Sequence, residues 1–154
     1  MSQEIERKFL LRDERWKALG QGVEIRQGYL SSHPDRVVRI RIYGDDAMVT
    51  IKSRTVGMTR GEWEYPIPLA DAQVLLDTVC ERPIIDKLRY RIPYAGMVWE
   101  VDEFRGDNSG LVVAEIELNA EHQQFEVPAW IGEEVTHDAR YYNANLLKRP
   151  FSKW

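Results

Sequence analysis

The sequence predicts an α+β fold: an eight-stranded antiparallel closed β-barrel that forms a tunnel, with a charged interior and helices packed outside. Strand-like segments with short, turn-rich connections dominate the 154 residues, and short connections between strands imply antiparallel neighbours. Charged and apolar residues alternate along these segments, so each predicted strand has one charged and one apolar face. Three helical segments lie among the strands and can cover an apolar outer surface.

The composition is typical of one globular domain spanning residues 1–154. The chain has 21 basic and 25 acidic residues, for a net charge of −4, so net charge gives no reason to expect a nucleic-acid partner. The single Cys80 excludes an internal disulfide and is typical of a reducing compartment. No secretory signal pattern and no run of about 20 apolar residues is present, so we expect a cytoplasmic protein without a membrane partner.

The strands are predicted from period-two alternation, and the connections from turn-forming residues. The predicted strands are 3–11, 23–30, 36–43, 47–54, 61–68, 84–93, 98–105 and 111–118. The clearest turns are 31–34, 44–46, 95–96 and 106–110, which are rich in Gly, Pro, Asp, Asn and Ser.

Three segments are predicted to be helical. Segment 13–19 begins at Asp13, a suitable N-cap, and is followed by Gly20. Segment 70–79 carries apolar residues at helical spacing. The last helix is expected at about 139–147, with a modest apolar stripe.

The alternation places charges on one face of nearly every strand. In the first strand, Glu4, Glu6 and Lys8 share a face. The charged positions of the later strands are Arg39 and Arg41; Lys52 and Arg54; Glu62 and Glu64; Lys87, Arg89 and Arg91; Glu100 and Asp102; Glu115 and Glu117.

For any single strand, a solvated outer face explains these charges better than a binding site does. Two features of the whole set favour an inward orientation. The polar faces are charged almost exclusively, and the sign of the charge segregates by strand, whereas a face evolved for solubility intersperses the signs. An apolar face that points outward also gives the helices a surface to cover.

A charged lumen is costly unless its ions pair with each other or bind a counter-charge. Internal pairing remains an alternative, because the lumen holds eight groups of each sign. The segregation of signs argues against complete pairing. Clustered Arg and Lys suit a polyanion, and clustered carboxylates suit a hard divalent cation, so the pattern indicates a site for a metal-complexed polyphosphate.

The motif formed by Glu4, Glu6 and Lys8 resembles the signature of the CYTH superfamily, the triphosphate tunnel metalloenzymes. The similarity continues in order through the later charged pairs to Glu115 and Glu117, and includes the tail 134–147. This resemblance covers nearly the whole chain. It implies the eight-stranded antiparallel tunnel that the alternation predicts.

The resemblance is greatest to short bacterial inorganic triphosphatases, which implies metal-dependent hydrolysis of inorganic triphosphate to pyrophosphate and phosphate. Two other substrates remain open: thiamine triphosphate, and ATP cyclised as in class IV adenylyl cyclases. A non-catalytic polyphosphate-binding module is an alternative of another class. The full acidic set disfavours that alternative, since binding a polyanion alone would not require so many carboxylates. The implied partner is a small-molecule triphosphate, and the chain could be a monomer or a homodimer.

The resemblance also implies roles for individual residues. The implied triphosphate ligands are Lys8, Arg39, Arg41, Lys52, Arg54, Lys87 and Arg89. The implied ligands of Mg²⁺ or Mn²⁺, expected as two ions, are Glu4, Glu6, Glu115 and Glu117. Further ligands or orienting partners are Glu62, Glu64, Glu100 and Asp102.

Three residues are implied near the chemistry itself. Lys8 should lie near one end of the phosphate chain, and Tyr29 resembles a family tyrosine close to that lysine. Lys87 is a candidate general base, because neighbouring cations lower the pKa of a lysine. A metal-activated water without a lysine base is an equal alternative.

Overall fold

The computed structural model describes residues 2–154, which form nine strands, two α-helices and four short 3-10 helices. The strands are β1 (Ser2–Leu11), β2 (Gly22–Ser31), β3 (Arg36–Tyr43), β4 (Asp46–Ser53), β5 (Thr59–Pro66), β6 (Ile85–Tyr94), β7 (Met97–Phe104), β8 (Val112–Glu117) and β9 (Ile131–Glu134). The α-helices are α1 (Leu69–Thr78) and α2 (Asn143–Lys148). The 3-10 helices are Arg15–Leu19, Gly106–Asn108, Ala139–Tyr141 and Phe151–Lys153.

Strands β1 to β8 form a closed antiparallel ring. Their order is β5-β4-β3-β2-β6-β7-β8-β1, and β1 pairs with β5 to close the circuit. The prediction of eight antiparallel strands in a ring is therefore confirmed. The ring has no free edge between these eight strands, which removes the usual site of edge-to-edge association.

Strand β9 is a ninth strand that the sequence does not predict. Residues 2–5 of β1 pair with β5, whereas Phe9 and Leu11 pair with Glu134 and Ile131 of β9. Strand β1 is thus longer than its partner β5, and β9 satisfies the backbone groups that β5 does not reach. With only four residues, β9 is too short for its alternation to stand out.

The helices differ from their predicted bounds in an informative way. Helix α1 lies within one residue of its prediction, but segment 13–19 forms only a 3-10 helix. The predicted helix at 139–147 is divided in two, because Tyr142 adopts an extended backbone with ψ of 131° between Ala139–Tyr141 and α2. This break lets the C-terminal segment follow the end of the ring.

Both faces of the ring are buried, and the charged face points inward. On β1, Glu4 and Lys8 are 8% and 5% exposed and line the interior cavity. The alternate residues Ile5 and Phe9 are as deeply buried but pack in an outer apolar cluster with Trp99. The alternation of the sequence therefore sorts charge to the lumen and apolar side chains to the outside.

Two apolar clusters cover the outer face of the ring. One centres on Trp99 and Trp130, whose rings pack edge to face 6.3 Å apart. In the other, Leu76 of α1 packs among residues of β3 and β4. A third cluster joins Leu146 of α2 to inward-facing apolar residues of the strands, such as Val37 of β3, at one end of the lumen. No helix among residues 2–154 is long and apolar enough to cross a membrane.

Candidate functional site: the charged cavity

The ring encloses a cavity of about 380 Å³ that collects nearly all of the predicted site residues. The predicted residues that line it are Glu4, Glu6, Lys8, Tyr29, Arg39, Arg41, Lys52, Arg54, Glu62, Glu64, Arg89, Glu100, Glu115 and Glu117. The other two, Lys87 and Asp102, lie buried behind this lining and bond to residues that form it.

The basic residues of the cavity lie mainly on strands β3, β4 and β6, with β2 between β3 and β6. Arg39 and Thr50 are directly opposite in the β3–β4 register, and the Arg39 guanidinium donates to Thr50 Oγ1 at 3.3 Å. Lys52 Nζ donates to both oxygens of Glu4 at 2.9 and 3.0 Å. Arg54 is exposed at one end of the cavity. The cations thus form a ladder along the wall rather than a single cluster.

Asp102 connects two of these cations. It lies opposite Arg89 in the β6–β7 register and accepts a two-pronged hydrogen bond from that guanidinium at 2.8 and 2.9 Å. Its second oxygen lies 2.7 Å from Lys87 Nζ. Burial alone would raise the pKa of Asp102, but Arg89 and Lys87 outweigh it and hold the pKa well below its usual range. Asp102 is therefore an anion that fixes two buried cations.

Lys87 has no solvent exposure, and its amine also donates to Asn143 Oδ1 at 2.9 Å. Burial lowers the pKa of Lys87 to about 7, and the charges of Arg89 and Arg41 add to the lowering against the opposing charge of Asp102. A neutral amine is thus accessible near pH 7, and burial contributes more to this shift than the neighbouring cations on which the sequence-based expectation rests.

The acidic residues lie mainly on β1, β5, β7 and β8. Glu6 is opposite Glu117 and Lys8 is opposite Glu115 in the β1–β8 register, while Glu100 is opposite Glu115 across β7–β8. Carboxylates of neighbouring strands are consequently brought side by side. This arrangement is unfavourable without cations between them.

The pKa values of these carboxyl groups are shifted by burial and by the neighbouring charges. Burial raises the pKa of Glu6 well above its usual value, and the charges of Glu115 and Glu4 raise it further. A hydrogen bond with Glu4 raises the pKa of Glu62 to about 7, with burial adding to the shift. Glu4 itself is stabilised as an anion: Lys52 overcomes the opposing effect of burial and lowers its pKa to about 2. The cavity therefore holds more carboxylates than its lysines and arginines neutralise locally.

No three or more His, Cys, Asp or Glu side chains within residues 2–154 are already arranged to hold a metal ion. The donor chemistry nevertheless fits a hard divalent cation, since Mg²⁺ and Mn²⁺ prefer carboxylate oxygens. Burial and the charges of Glu115 and Glu4 raise the pKa of Glu6, so a cation bound beside Glu6 would favour its ionised form.

Lys8 lies on the side of the cavity that faces the C-terminal segment of the chain. Its amine is 3.0 Å from Glu115 Oε1, 3.5 Å from the Tyr141 carbonyl oxygen and 5.6 Å from the centre of the Tyr142 ring. Glu115 and Glu6 raise the pKa of Lys8 despite its burial, so it stays charged. Tyr29 lines the same cavity, and its hydroxyl accepts from Gln27 Nε2 at 3.2 Å.

Sequence reasoning does not identify several residues of this site. Gln27 shares the inward face of β2 with Tyr29, so period-two spacing would have found it had uncharged residues been considered. Thr136, Tyr142 and Asn143 also line the cavity. They come from the C-terminal segment outside the ring strands, where the alternation of charge that identifies the lumen does not extend.

Three comparisons agree with this geometry. A family model described as the CYTH domain matches residues 2–151. An inorganic triphosphatase from Acetivibrio thermocellus is 47% identical over 154 residues, covering 100% of this chain and 99% of the relative. An inorganic triphosphatase from Nitrosomonas europaea is 38% identical over 148 residues, covering 93% of this chain and 95% of the relative.

The fold is also similar to a solved structure. A crystal structure of an inorganic triphosphatase superposes with a TM-score of 0.67 at 34% identity, covering 93% of this chain and 96% of the other. The family match extends over almost the whole chain, and the relatives are similar from end to end. The chain belongs to the CYTH family.

Proposed function

We propose that this protein hydrolyses inorganic triphosphate to pyrophosphate and phosphate in the presence of Mg²⁺ or Mn²⁺. The observation that carries the proposal is one cavity inside the ring, lined by cations mainly from β3, β4 and β6 and by carboxylates mainly from β1, β5, β7 and β8. The names of the two relatives, both inorganic triphosphatases, support it. The single Cys80 fits action in the cytoplasm, where the chain would be a monomer or a homodimer.

The basic residues would hold the phosphate chain. Arg39, Arg41, Lys52 and Arg89 line the cavity together, and Lys8 lies at its C-terminal side. Arg54, which is more exposed, would meet the substrate as it enters. Lys87 would act from behind the wall, through the carboxylate it shares with Arg89. Phosphoryl transfer depends mainly on such positioning and charge neutralisation.

Glu4, Glu6, Glu115 and Glu117 would hold the divalent cations, expected as two. A bound cation supplies neutralisation of the phosphate oxygens and activation of the attacking water. Glu62, Glu64 and Glu100 would complete the ligand set or orient the cations, as Glu64 does for Arg39 at 3.7 Å. Asp102 would serve as an orienting partner, since Arg89 and Lys87 already occupy its oxygens.

Lys87 is the candidate general base, and its pKa of about 7 leaves part of it neutral at physiological pH. Because its amine lies behind the cavity lining and bonds to Asp102 and Asn143, it would have to take the proton through an intervening group. A water activated only by the cation is the alternative. Lys8 stays charged and would contact the end of the phosphate chain that lies beside the C-terminal segment of the protein. Tyr29, which lines the same cavity, would contact the phosphate chain near that end.

The test is a turnover assay with purified protein, Mg²⁺ or Mn²⁺, and tripolyphosphate, thiamine triphosphate or ATP as substrate. We expect phosphate release to be fastest from tripolyphosphate. Preference for thiamine triphosphate, or release of cyclic AMP from ATP, would replace the proposed substrate. Tight tripolyphosphate binding without turnover of any substrate would leave a binding module instead.

The metal assignment has its own variants. Glu4→Gln and Glu117→Gln should each lower metal-dependent turnover by about a hundredfold or more, because each removes a proposed metal ligand. Glu4→Gln also removes an ion-pair partner of Lys52. Glu126→Gln is the matched control, since Glu126 is exposed and outside the cavity. Full activity in both cavity variants would remove Glu4 and Glu117 from the ligand set.

A further inference from the structure

Two side-chain amides join two cations of the cavity that come from different parts of the chain. Gln27 on β2 is fully buried and lies directly opposite Arg41 on β3. Asn143 is the first residue of α2 and lines the cavity. Gln27 Nε2 lies 3.2 Å from Asn143 Oδ1, so the two amides are in direct contact.

The cations at either end fix the orientation of both amides. Arg41 Nε donates to Gln27 Oε1 at 2.8 Å, and Lys87 Nζ donates to Asn143 Oδ1 at 2.9 Å. A guanidinium only donates, so Gln27 has to turn its oxygen toward Arg41 and its nitrogen toward Asn143, which in turn presents its oxygen to both Gln27 and Lys87. Gln27 Nε2 is then left to donate to Asn143. The hydrogen-bonded link from Arg41 through Gln27 and Asn143 to Lys87 therefore pairs a donor with an acceptor at every step.

The group that accepts from Arg41 is a neutral amide, whereas the groups that contact the other cations of the cavity wall are carboxylates. Arg39 is within ion-pair distance of Glu64, Lys52 of Glu4, and Arg89 of Asp102. Within the described part of the chain, no such carboxylate contacts Arg41, and Gln27 is its hydrogen-bond acceptor. Burial, together with the charges of Arg39 and Arg89, lowers the pKa of Arg41 to about 9 against the opposing charge of Asp102, as expected of a buried cation without a carboxylate in contact.

We propose that Gln27 and Asn143 are positioning residues that hold Arg41 and Lys87 in place without neutralising Arg41. The assignment rests on the proposed triphosphatase function, because the uncompensated charge of Arg41 is useful only toward an anion in the cavity. Through Asn143 the link also ties the C-terminal helix α2 to the anion-binding wall. A carboxylate of the same shape at position 27 would hold Arg41 equally well but cancel its charge.

Gln27→Glu tests the neutrality of the link. We expect the KM for tripolyphosphate to rise about tenfold or more, the worth of one charge-assisted contact, with a smaller change in kcat. The midpoint of thermal unfolding should not fall, since the new carboxylate pairs with Arg41. Gln73→Glu adds the same charge on the exposed surface of α1 and should leave the KM unchanged. A KM for Gln27→Glu within twofold of the unchanged protein would overturn the proposal.

A second measurement keeps the inference separate from the proposed function and from any folding defect. The Nε–H resonance of Arg41, assigned with Arg41→Lys, should exchange slowly with solvent in the unchanged protein. Exchange should accelerate in Gln27→Met and in Asn143→Ala, because each removes a step of the link. Fast exchange in the unchanged protein, or no effect of Asn143→Ala, would overturn the link even if tripolyphosphate is hydrolysed. Absent hydrolysis with a protected Arg41 Nε–H would reject only the proposed function and the role of the link in it.

Discussion

Arg7 shows how a single charged residue is accommodated on the apolar side of the ring. Its neighbours Ile5 and Phe9 pack outward, whereas the Arg7 guanidinium donates to Glu134 at 2.8 Å and lies 5.0 Å from the centre of the Phe125 ring. The contact joins β1 to β9. An outward charge is tolerated here because it gains a carboxylate and an aromatic face at once.

This pair predicts a pH-dependent contribution to stability. The hydrogen bond from Arg7 lowers the pKa of Glu134, so the contribution is present above the unfolded pKa of about 4.3 and lost as pH falls through the lowered folded pKa. Glu134→Gln should therefore reduce the free energy of unfolding at pH 7 by about 0.5–1 kcal/mol, and by less at pH 3. Urea denaturation at both pH values measures this. The adjacent, exposed Glu133→Gln is the control, and an equal loss at pH 7 and pH 3 would contradict the prediction.

Helix α1 shows how an outer element completes the charged interior. Because β3 turns its arginines inward, Ile40 and Ile42 face outward and need cover, which Ala72 and Leu76 of α1 provide. The approach is close: a Cβ at Gly28 would lie 2.9 Å from Cys80 Cβ and 3.1 Å from Leu76 Cδ2. Helix α1 therefore covers part of the outer face. Its apolar side is needed because β3 points its charged side chains inward and its isoleucines outward.

The corresponding prediction concerns stability without catalysis. Leu76→Ala should lower the free energy of unfolding by about 2–5 kcal/mol, because Leu76 has no exposed surface and the cavity left behind cannot be filled. The KM for tripolyphosphate, assayed below the unfolding midpoint, should stay unchanged. Val74→Ala on the exposed side of the same helix should cost about 0.5 kcal/mol or less. Equal losses in the two variants would show that α1 does not pack as described.

At the scale of the whole molecule, ring closure concentrates like charges. The closing pair β1–β5 places Glu4 and Glu62 in one wall, and the β1–β8 register adds Glu115 and Glu117. The folded ring therefore retains repulsion between neighbouring carboxylates. A ligand that carries both a divalent cation and phosphates should relieve that repulsion and bind only the folded chain.

Tripolyphosphate with Mg²⁺ should consequently raise the thermal midpoint. At about 100 times the Kd the stabilisation is about 2.7 kcal/mol, which corresponds to about 5–10 °C for a chain of this size. Differential scanning calorimetry measures the shift, with sodium sulfate at equal ionic strength as the salt control. Arg41→Ala should lose most of the shift. A midpoint that moves no further than it does in sulfate would contradict preferential binding to the folded ring.

The sequence by itself determined eight of the nine strands, the inward charges and most of the residues that line the cavity. Period-two alternation is a local property, so the shared face of Glu4, Glu6 and Lys8 can be read without knowing their partners. The outer apolar face follows from the same alternation, and α1 from its own spacing. The segregation of sign by strand was also visible, because it requires only the order of residues along the chain.

Only the tertiary structure decided which groups meet across the ring. The closure of β1 on β5, the added strand β9 and the contact of Gln27 with Asn143 join distant segments. The sharing of Asp102 by Arg89 and Lys87 depends on the register of the β6–β7 hairpin. Gln27 and Asn143 are 116 positions apart, and neither carries a charge that marks it. Their meeting depends on the register of every strand between them, since one slipped residue would reverse the faces.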